Sequence, residues 1–452
     1  MAEIDLPKHR SLLLFIAISV ATFFQQSAPA MLWDAEVYLR GSVALISGGN
    51  IYVDGGLDLR GAWSPIVYSP AAAVNHIIGR SGYGEGLFVF VLLQNAVLVG
   101  AISTLLLPAL MRLWFPRNST SLIVCATIGY FVLRNFAPYS LMDTWAIALV
   151  LLAVCLIERR GFASLFFAGL AIGVGVNLRP SYLLTAVVIT VITVVSLRYR
   201  GLLMIVGLVV AQTPQIVVNW FVNGRMTPFP VSLAGVSGNR AVWTLFTIRY
   251  DTIAYRPFAE GAQLFCDPAM VRVALSELPP SRSDLVMVFV TNPLQSGWFF
   301  IEKLGAMLLW PVTVPYFEWI PVLNLLFGVV IVLITVLGIS GLMLTRTKSP
   351  ALSLPRVAAL VVIGGVLVNL VLFHTETRYA IPLVLIGVAG IAGLAGHCAS
   401  HGIRRRDIRG GLPTAIVVLA VAVLLSVSGH QGLQHANSCP SEESLKNAEV
   451  RP

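Results

Sequence analysis

The chain alternates between long apolar runs and short polar breaks, and most apolar runs are long enough to cross the hydrocarbon of a bilayer as a helix. About eleven such runs can be drawn, at 11–32, 87–111, 119–134, 140–157, 162–178, 182–197, 201–220, 320–344, 355–373, 380–397 and 412–429. Two stretches break the rhythm. Residues 33–86 and 221–319 mix apolar patches with Pro and charge, as in "LVMVFVTNPL" and "SGWFFIEKLGAMLLWPV". Helices lying on or dipping into the membrane interface suit these patches better than clean crossings. The expected fold is an all-α integral membrane protein of 10 to 13 crossings: a single polytopic domain over 1–429, with extramembrane loop helices and a short tail at 430–452.

The basic residues give these runs a direction. "PKHR" at 7–10, Arg112 and Arg117, "ERRG" at 158–161, "RYRG" at 198–201, "RTK" at 346–348 and "IRRRDIR" at 403–409 all fall on one side of the eleven-run arrangement. The positive-inside rule makes that side cytoplasmic. The N-terminus is then inside, and 33–86, 221–319 and the tail lie outside. The first run, about twenty residues without a convincing cleavage site, is read as a retained helix rather than a signal peptide.

Composition strengthens the membrane reading and removes others. Only 11% of the 452 residues are charged while 57% are hydrophobic, and mean hydropathy is +0.84; soluble domains carry about 25% charged residues. The net charge of +9 sits in short loop clusters that the topology rule explains, so no nucleic-acid partner is expected. The five cysteines show no metal-binding spacing, but the topology leaves Cys266 and Cys439 together outside, where they could pair.

Charge at the outer helix ends is the candidate chemistry, because such charges are costly and tend to mark function. Asp34 and Glu36 follow the first run; Arg134, Asp143, "NLRPSY" at 177–182 and "HTETRYAIP" at 374–382 occupy other outer ends. Each has a bland reading: a solvated helix end for Asp34, a tight turn reaching headgroups for Arg179, and a self-satisfied Glu376–Arg378 pair. The sharper reading is a cavity with a carboxylate base on one side and arginines able to grip a phosphate bidentately on the other.

"WDAEVYLRG" at 33–41, "GGNIYVDGG" at 48–56 and "SPIVYSPAAA" at 64–73 resemble the first outer loop of GT-C superfamily glycosyltransferases. "GVGVNLRPSYLL" at 173–184 resembles their mid-chain R-P turn, and "HTETRYAIP" is similar to the H-x-E-x-R-[YF]-x-x-P signature of several branches. Bacterial mannosyl-, arabinosyl- and aminoarabinosyl-transferring enzymes are the nearest kind; the WWD-type motif of oligosaccharyltransferases is not in the chain. The resemblance implies a polyprenyl-phosphate sugar donor, a glycan, glycolipid or protein acceptor, and an active site on the outer face of the bacterial cytoplasmic membrane.

It further implies Asp34 as general base toward the acceptor hydroxyl. Arg378 is the first choice to stabilise the leaving phosphate, with Arg179 or His374 second. Tyr38 and Tyr379 would shape the pocket, and Glu376 would bind substrate beside Arg378. Glu36 points away from Asp34 if the stretch is helical. Asp54 is a rival base ranked above Asp58, and Lys303 either meets the carrier phosphate or snorkels to the surface. The loop acids could hold a divalent cation through oxygen ligands, although nothing in their spacing demands one. A lipid or sugar transporter or flippase is the competing class; it predicts charge at mid-depth and broken helices in matched positions.

Overall fold

The computed structural model describes residues 8–25, 33–79, 85–231, 243–253, 261–276, 282–312, 321–344, 353–372, 376–401, 405–434 and 439–440. In chain order the elements are α1 (Lys8–Gln25), α2 (Trp33–Ser47), α3 (Ile51–Asp54), α4 (Ser64–Ile77), α5 (Glu85–Ala101), α6 (Leu107–Met111), α7 (Ser119–Leu133), α8 (Met142–Ile157), α9 (Phe162–Leu178), α10 (Leu183–Leu197) and α11 (Leu202–Asn223). After these come β1 (Thr247–Ile253), β2 (Gly261–Cys266), α12 (Pro268–Ser276), α13 (Arg282–Thr291), α14 (Pro293–Leu308), α15 (Pro321–Leu344), α16 (Leu354–Leu372), α17 (Ile381–His401) and α18 (Arg405–Leu433).

Helical residues fall within each of the eleven predicted runs, but the count of about eleven crossings is not confirmed. Among the described residues six helical stretches are long and apolar enough to cross a membrane: Gly86–Met111, Ser119–Phe136, Pro180–Asn223, Val322–Met343, Thr377–Ser400 and Ala415–Gln434. The third joins two predicted runs, α10 and α11, through a tight turn at Arg198–Gly201. His9–Phe24, Met142–Ile157, Phe162–Leu178 and Leu354–Leu370 are apolar but shorter. α5 continues into α6 through one π-helical turn at Ile102–Leu106. Pro108 follows that turn and has no N–H to give the ladder, and Thr104 turns its hydroxyl back to the Gly100 carbonyl at 2.8 Å.

The chain divides into two compact units. The first holds 1–233, 338–365 and 385–403. Its centre is α8, with both faces buried, packed beside α9, which in turn lies along α11. Small residues allow the close approach: a Cβ on Gly169 would stand 2.0 Å from the Met204 carbonyl oxygen, and one on Gly207 would stand 2.1 Å from that of Phe166. Between apolar helices, where lipid is as apolar as Leu, such backbone proximity supplies the dispersion that holds the pair.

The second unit holds 234–337, 366–384 and 404–452. It amends the all-α expectation. β1 and β2 form an antiparallel two-stranded sheet with Tyr250 opposite Leu264, and a bulge falls between Thr247 and Arg249. Phe246, Ile248, Phe265, Met270 and Phe299 form a core of their own over this ribbon. The Cys266–Cys439 disulfide, with Cα atoms 5.2 Å apart, ties the end of β2 to the segment after α18. Gly305 of α14 and Gly429 of α18 bring those helices into backbone contact. Residues 33–86, expected as an outer loop, are largely helical where described, as α2, α3 and α4.

Candidate functional site

α2 starts at Trp33, so Asp34 and Glu36 lie in its first turn, where exposed N–H groups and the helix dipole favour carboxylates. The helical register separates them. Glu36 turns outward and pairs with Arg40 one turn on, both side chains well exposed. Asp34 faces the interior edge and pairs with Arg60. Arg60 comes from the turn before α4, and its guanidinium also lies over the Tyr38 ring, 5.1 Å from the centroid. Tyr38 is buried. Burial pushes its phenol up, an effect opposed by Arg179 and Arg60 and reinforced by Asp34 and Asp143. At neutral pH it is therefore an O–H group in the field of four charges.

The other two of those charges form a second pair. Asp143 opens α8 and Arg179 follows α9, where the residue before Pro180 is held extended (φ −141°, ψ 97°). Arg179 turns back onto Asp143. The Ser140 hydroxyl, just before α8, donates to the Ala35 carbonyl of α2. Two acid–arginine pairs thus flank one phenol, and they differ in access. Side-chain exposure is 30% for Asp34 and 18% for Arg60, against 6% for Asp143 and 13% for Arg179. The Asp34 pair keeps partial solvent access; the Asp143 pair keeps little. Asp54, the rival base, is exposed at the end of α3.

The remaining predicted residues belong to the second unit. Arg378 and Glu376 sit at a short turn (Thr377–Ala380) that packs on α14 and β1. The Arg378 Nε is 2.5 Å from Glu376 Oε2 and Nη2 donates to Oε1 at 3.0 Å, and the Tyr379 hydroxyl reaches the same Oε1 at 3.4 Å. The pair that the bland reading expects is formed. His374 lies outside the described residues. Lys303 is buried rather than snorkelling: its Nζ is 3.4 Å from the Thr244 carbonyl oxygen and 5.1 Å from the Phe299 ring centroid. α14 is not among the membrane-crossing stretches, and burial lowers the Lys303 ammonium to about 7. Its neighbour Glu302 is raised to about 7, first by burial and then by Asp267.

Four charged residues were not singled out as site residues from the sequence. Arg60 belongs to no motif quoted above. Asp143 entered only as one charge among several. Arg249 and Asp251 form a buried pair on β1, and Arg249 Nη1 donates to the carbonyls of Ala306 (2.7 Å) and Leu309 (3.0 Å). Those carbonyls end α14, so Arg249 supplies partners for a helix C-terminus. Among the described residues no three His, Cys, Asp or Glu side chains converge to hold a metal ion.

No protein-family model matches this chain, and no curated protein matches its sequence. Among solved structures, the apo oligosaccharyltransferase of Archaeoglobus fulgidus is similar, with a TM-score of 0.40 and 10% identity. The match covers 97% of this chain and 57% of that one, so this chain spans little more than half the length of that protein. A likeness of that size carries no argument, and the functional reading rests on the residues themselves.

Proposed function

We propose that this protein is a membrane glycosyltransferase that moves a sugar from a polyprenyl-phosphate donor to an acceptor hydroxyl, at the outer face of a bacterial cytoplasmic membrane and with inversion. The observation that carries the reading is the half-open Asp34–Arg60 pair beside a buried, neutral Tyr38, backed by the closed Asp143–Arg179 pair. All four charged groups lie at helix ends or turns, as chemistry at a membrane surface requires; none is at mid-helix, as a transport path would favour.

The step follows from these groups. Asp34 takes the proton of the acceptor hydroxyl as its oxygen forms a bond to the anomeric carbon. The bond from that carbon to the phosphate oxygen breaks, and polyprenyl phosphate leaves with the electron pair. A single displacement inverts the anomeric centre. Negative charge grows on the leaving phosphate, and a guanidinium is the group suited to it. At rest Arg60 neutralises Asp34, so the two must part for Asp34 to act, and the arriving phosphate is the anion that draws Arg60 away. Tyr38 then keeps an O–H donor at the edge of the site. Arg378 and His374 are proposed phosphate contacts on the resemblance alone. Arg179 stays on Asp143 and holds the inner pair rather than the phosphate.

The test is a panel of polyprenyl-phosphate hexoses and pentoses offered to the purified protein in proteoliposomes, with free polyprenyl phosphate as the readout. Turnover of one donor and an inverted product support the reading. Donor crossing the bilayer intact, with no free polyprenyl phosphate, replaces it with a flippase.

A further inference from the structure

Four amide side chains inside the first unit have no part in the step above. Gln212, Gln215 and Asn219 lie on one face of α11, spaced by three and four residues, and Asn177 lies in the last turn of α9. All four are buried, Gln215 and Asn219 completely. Buried amides in an apolar helix are costly unless every polar atom is used, and here they are spent on one segment. Gln215 Oε1 accepts the Ala62 N–H at 2.8 Å, and Asn177 Oδ1 accepts the Trp63 N–H at 3.0 Å. The Trp63 indole donates to the Ala211 carbonyl at 2.7 Å. Behind them Gln215 Nε2 reaches Asn219 Oδ1 (3.2 Å), whose own Nδ2 holds the carbonyls of Thr227 and Phe229. Gln212 anchors to the Gly173 carbonyl at 2.8 Å.

The two captured N–H groups belong to Ala62 and Trp63, the residues immediately before α4, whose N-cap Trp63 provides no side-chain cap. The partners of this entry segment come from two other helices, α9 and α11. Gly61 completes the clamp: a Cβ there would stand 1.9 Å from the Asn177 carbonyl oxygen, so only glycine lets the strand lie this close. Arg60 is the residue immediately before the clamped stretch.

We infer that the amide ladder of Asn177, Gln212, Gln215 and Asn219 positions Arg60 on Asp34 by fixing the Gly61–Trp63 segment, and so sets the resting state of the proposed active site. The catalytic consequence rests on the glycosyltransferase reading; the positioning does not. These are positioning residues, since none touches the reacting atoms.

The experiment is phenylglyoxal modification of the full-length protein in detergent, with the rate at each arginine followed by peptide mass spectrometry. Gln215→Met removes every bond of that amide, of which the one from the Ala62 N–H holds the segment directly, and should raise modification of Arg60 about fivefold, the shift given by losing that one ordinary buried hydrogen bond. Arg40, already exposed, and Arg179, held by Asp143, should keep their rates. Gln215→Glu, kept protonated by complete burial, retains an acceptor for the Ala62 N–H and an O–H donor for Asn219 Oδ1 and should stay near the parent protein. Trp63→Phe removes only the indole bond and gives a second, milder probe if Gln215→Met does not fold. An unchanged Arg60 in the folded variants, or all arginines rising together, overturns the inference. In the transfer assay Gln215→Met should lower kcat while Gln215→Glu restores it. Absence of transfer in the parent protein refutes the enzyme reading, and the modification rates still decide the clamp.

Discussion

Asp143→Asn and Asp34→Asn are nearly isosteric changes that each remove one carboxylate charge from an arginine, yet the structure separates their effects. Asp143 and Arg179 are 6% and 13% exposed. Removing one partner of a buried pair strands the other charge and costs about 3–5 kcal/mol. Asp34 and Arg60, at 30% and 18%, retain solvent that screens the loss, and pairs of this openness contribute about 0–1 kcal/mol. Asp143→Asn should therefore destabilise the protein by at least ~2 kcal/mol more than Asp34→Asn. The assay is unfolding in detergent followed by tryptophan fluorescence, with Arg179→Met added to Asp143→Asn. The double variant should recover part of the loss, because a neutral, well-packed pair avoids a stranded charge. Equal destabilisation by the two Asn variants, or a double variant worse than the sum of its singles, would refute the assignment of an inner structural pair and an outer functional one.

Three further outcomes can be measured on the second unit. Cys266→Ser with Cys439→Ser opens a loop of 173 residues, for which chain entropy allows up to about 5 kcal/mol, reduced by whatever the bilayer already confines; the unfolding midpoint should fall, and reductant should have no effect on the double variant. The adjacent pair on α14 makes stability depend on pH in two windows. Glu302 is raised from 4.5 to about 7, so its contribution is full below pH 4.5 and is lost as pH rises through 7; Lys303 is lowered from 10.5 to about 7, so stability rises again from pH 7 toward 10.5. Glu302→Gln should flatten the first limb and Lys303→Met the second, read as unfolding midpoint against pH. Gly305→Val places atoms where Leu425 oxygen stands 2.2 Å from a Cβ and should cost about 1–3 kcal/mol by forcing α14 from α18, seen in the same unfolding assay.

The helices were legible because apolar runs of crossing length leave the backbone no other way to satisfy its hydrogen bonds in lipid. The separation of Glu36 from Asp34 also followed from the helical period. The β1–β2 ribbon was not legible: "TIRYDTI" buries Thr247, Ile248, Arg249 and Asp251 alike, so it lacks the inside–outside alternation that marks a half-buried strand. Its Ile, Tyr and Thr content was the available signal. Arg60 was missed because its importance comes from contacts 26 residues away in sequence, and "DLRGAW" has no periodic feature. The glycine beside it and the Gln212, Gln215, Asn219 spacing on an apolar helix could have exposed the clamp, since buried amides three and four residues apart demand partners. The Cys266–Cys439 disulfide was open to the sequence only as an option, because both cysteines fell in segments read as lying on one side.

The proton acceptor is the claim on which the proposed chemistry turns, and its direct measurement is the single-turnover rate of sugar release from the accepted polyprenyl-phosphate donor in Asp34→Asn protein that unfolds at the parent midpoint. Loss of two to four orders of magnitude, about the range attributed to general base catalysis, with donor still bound, is the expected result. A release rate equal to that of the parent protein would contradict it.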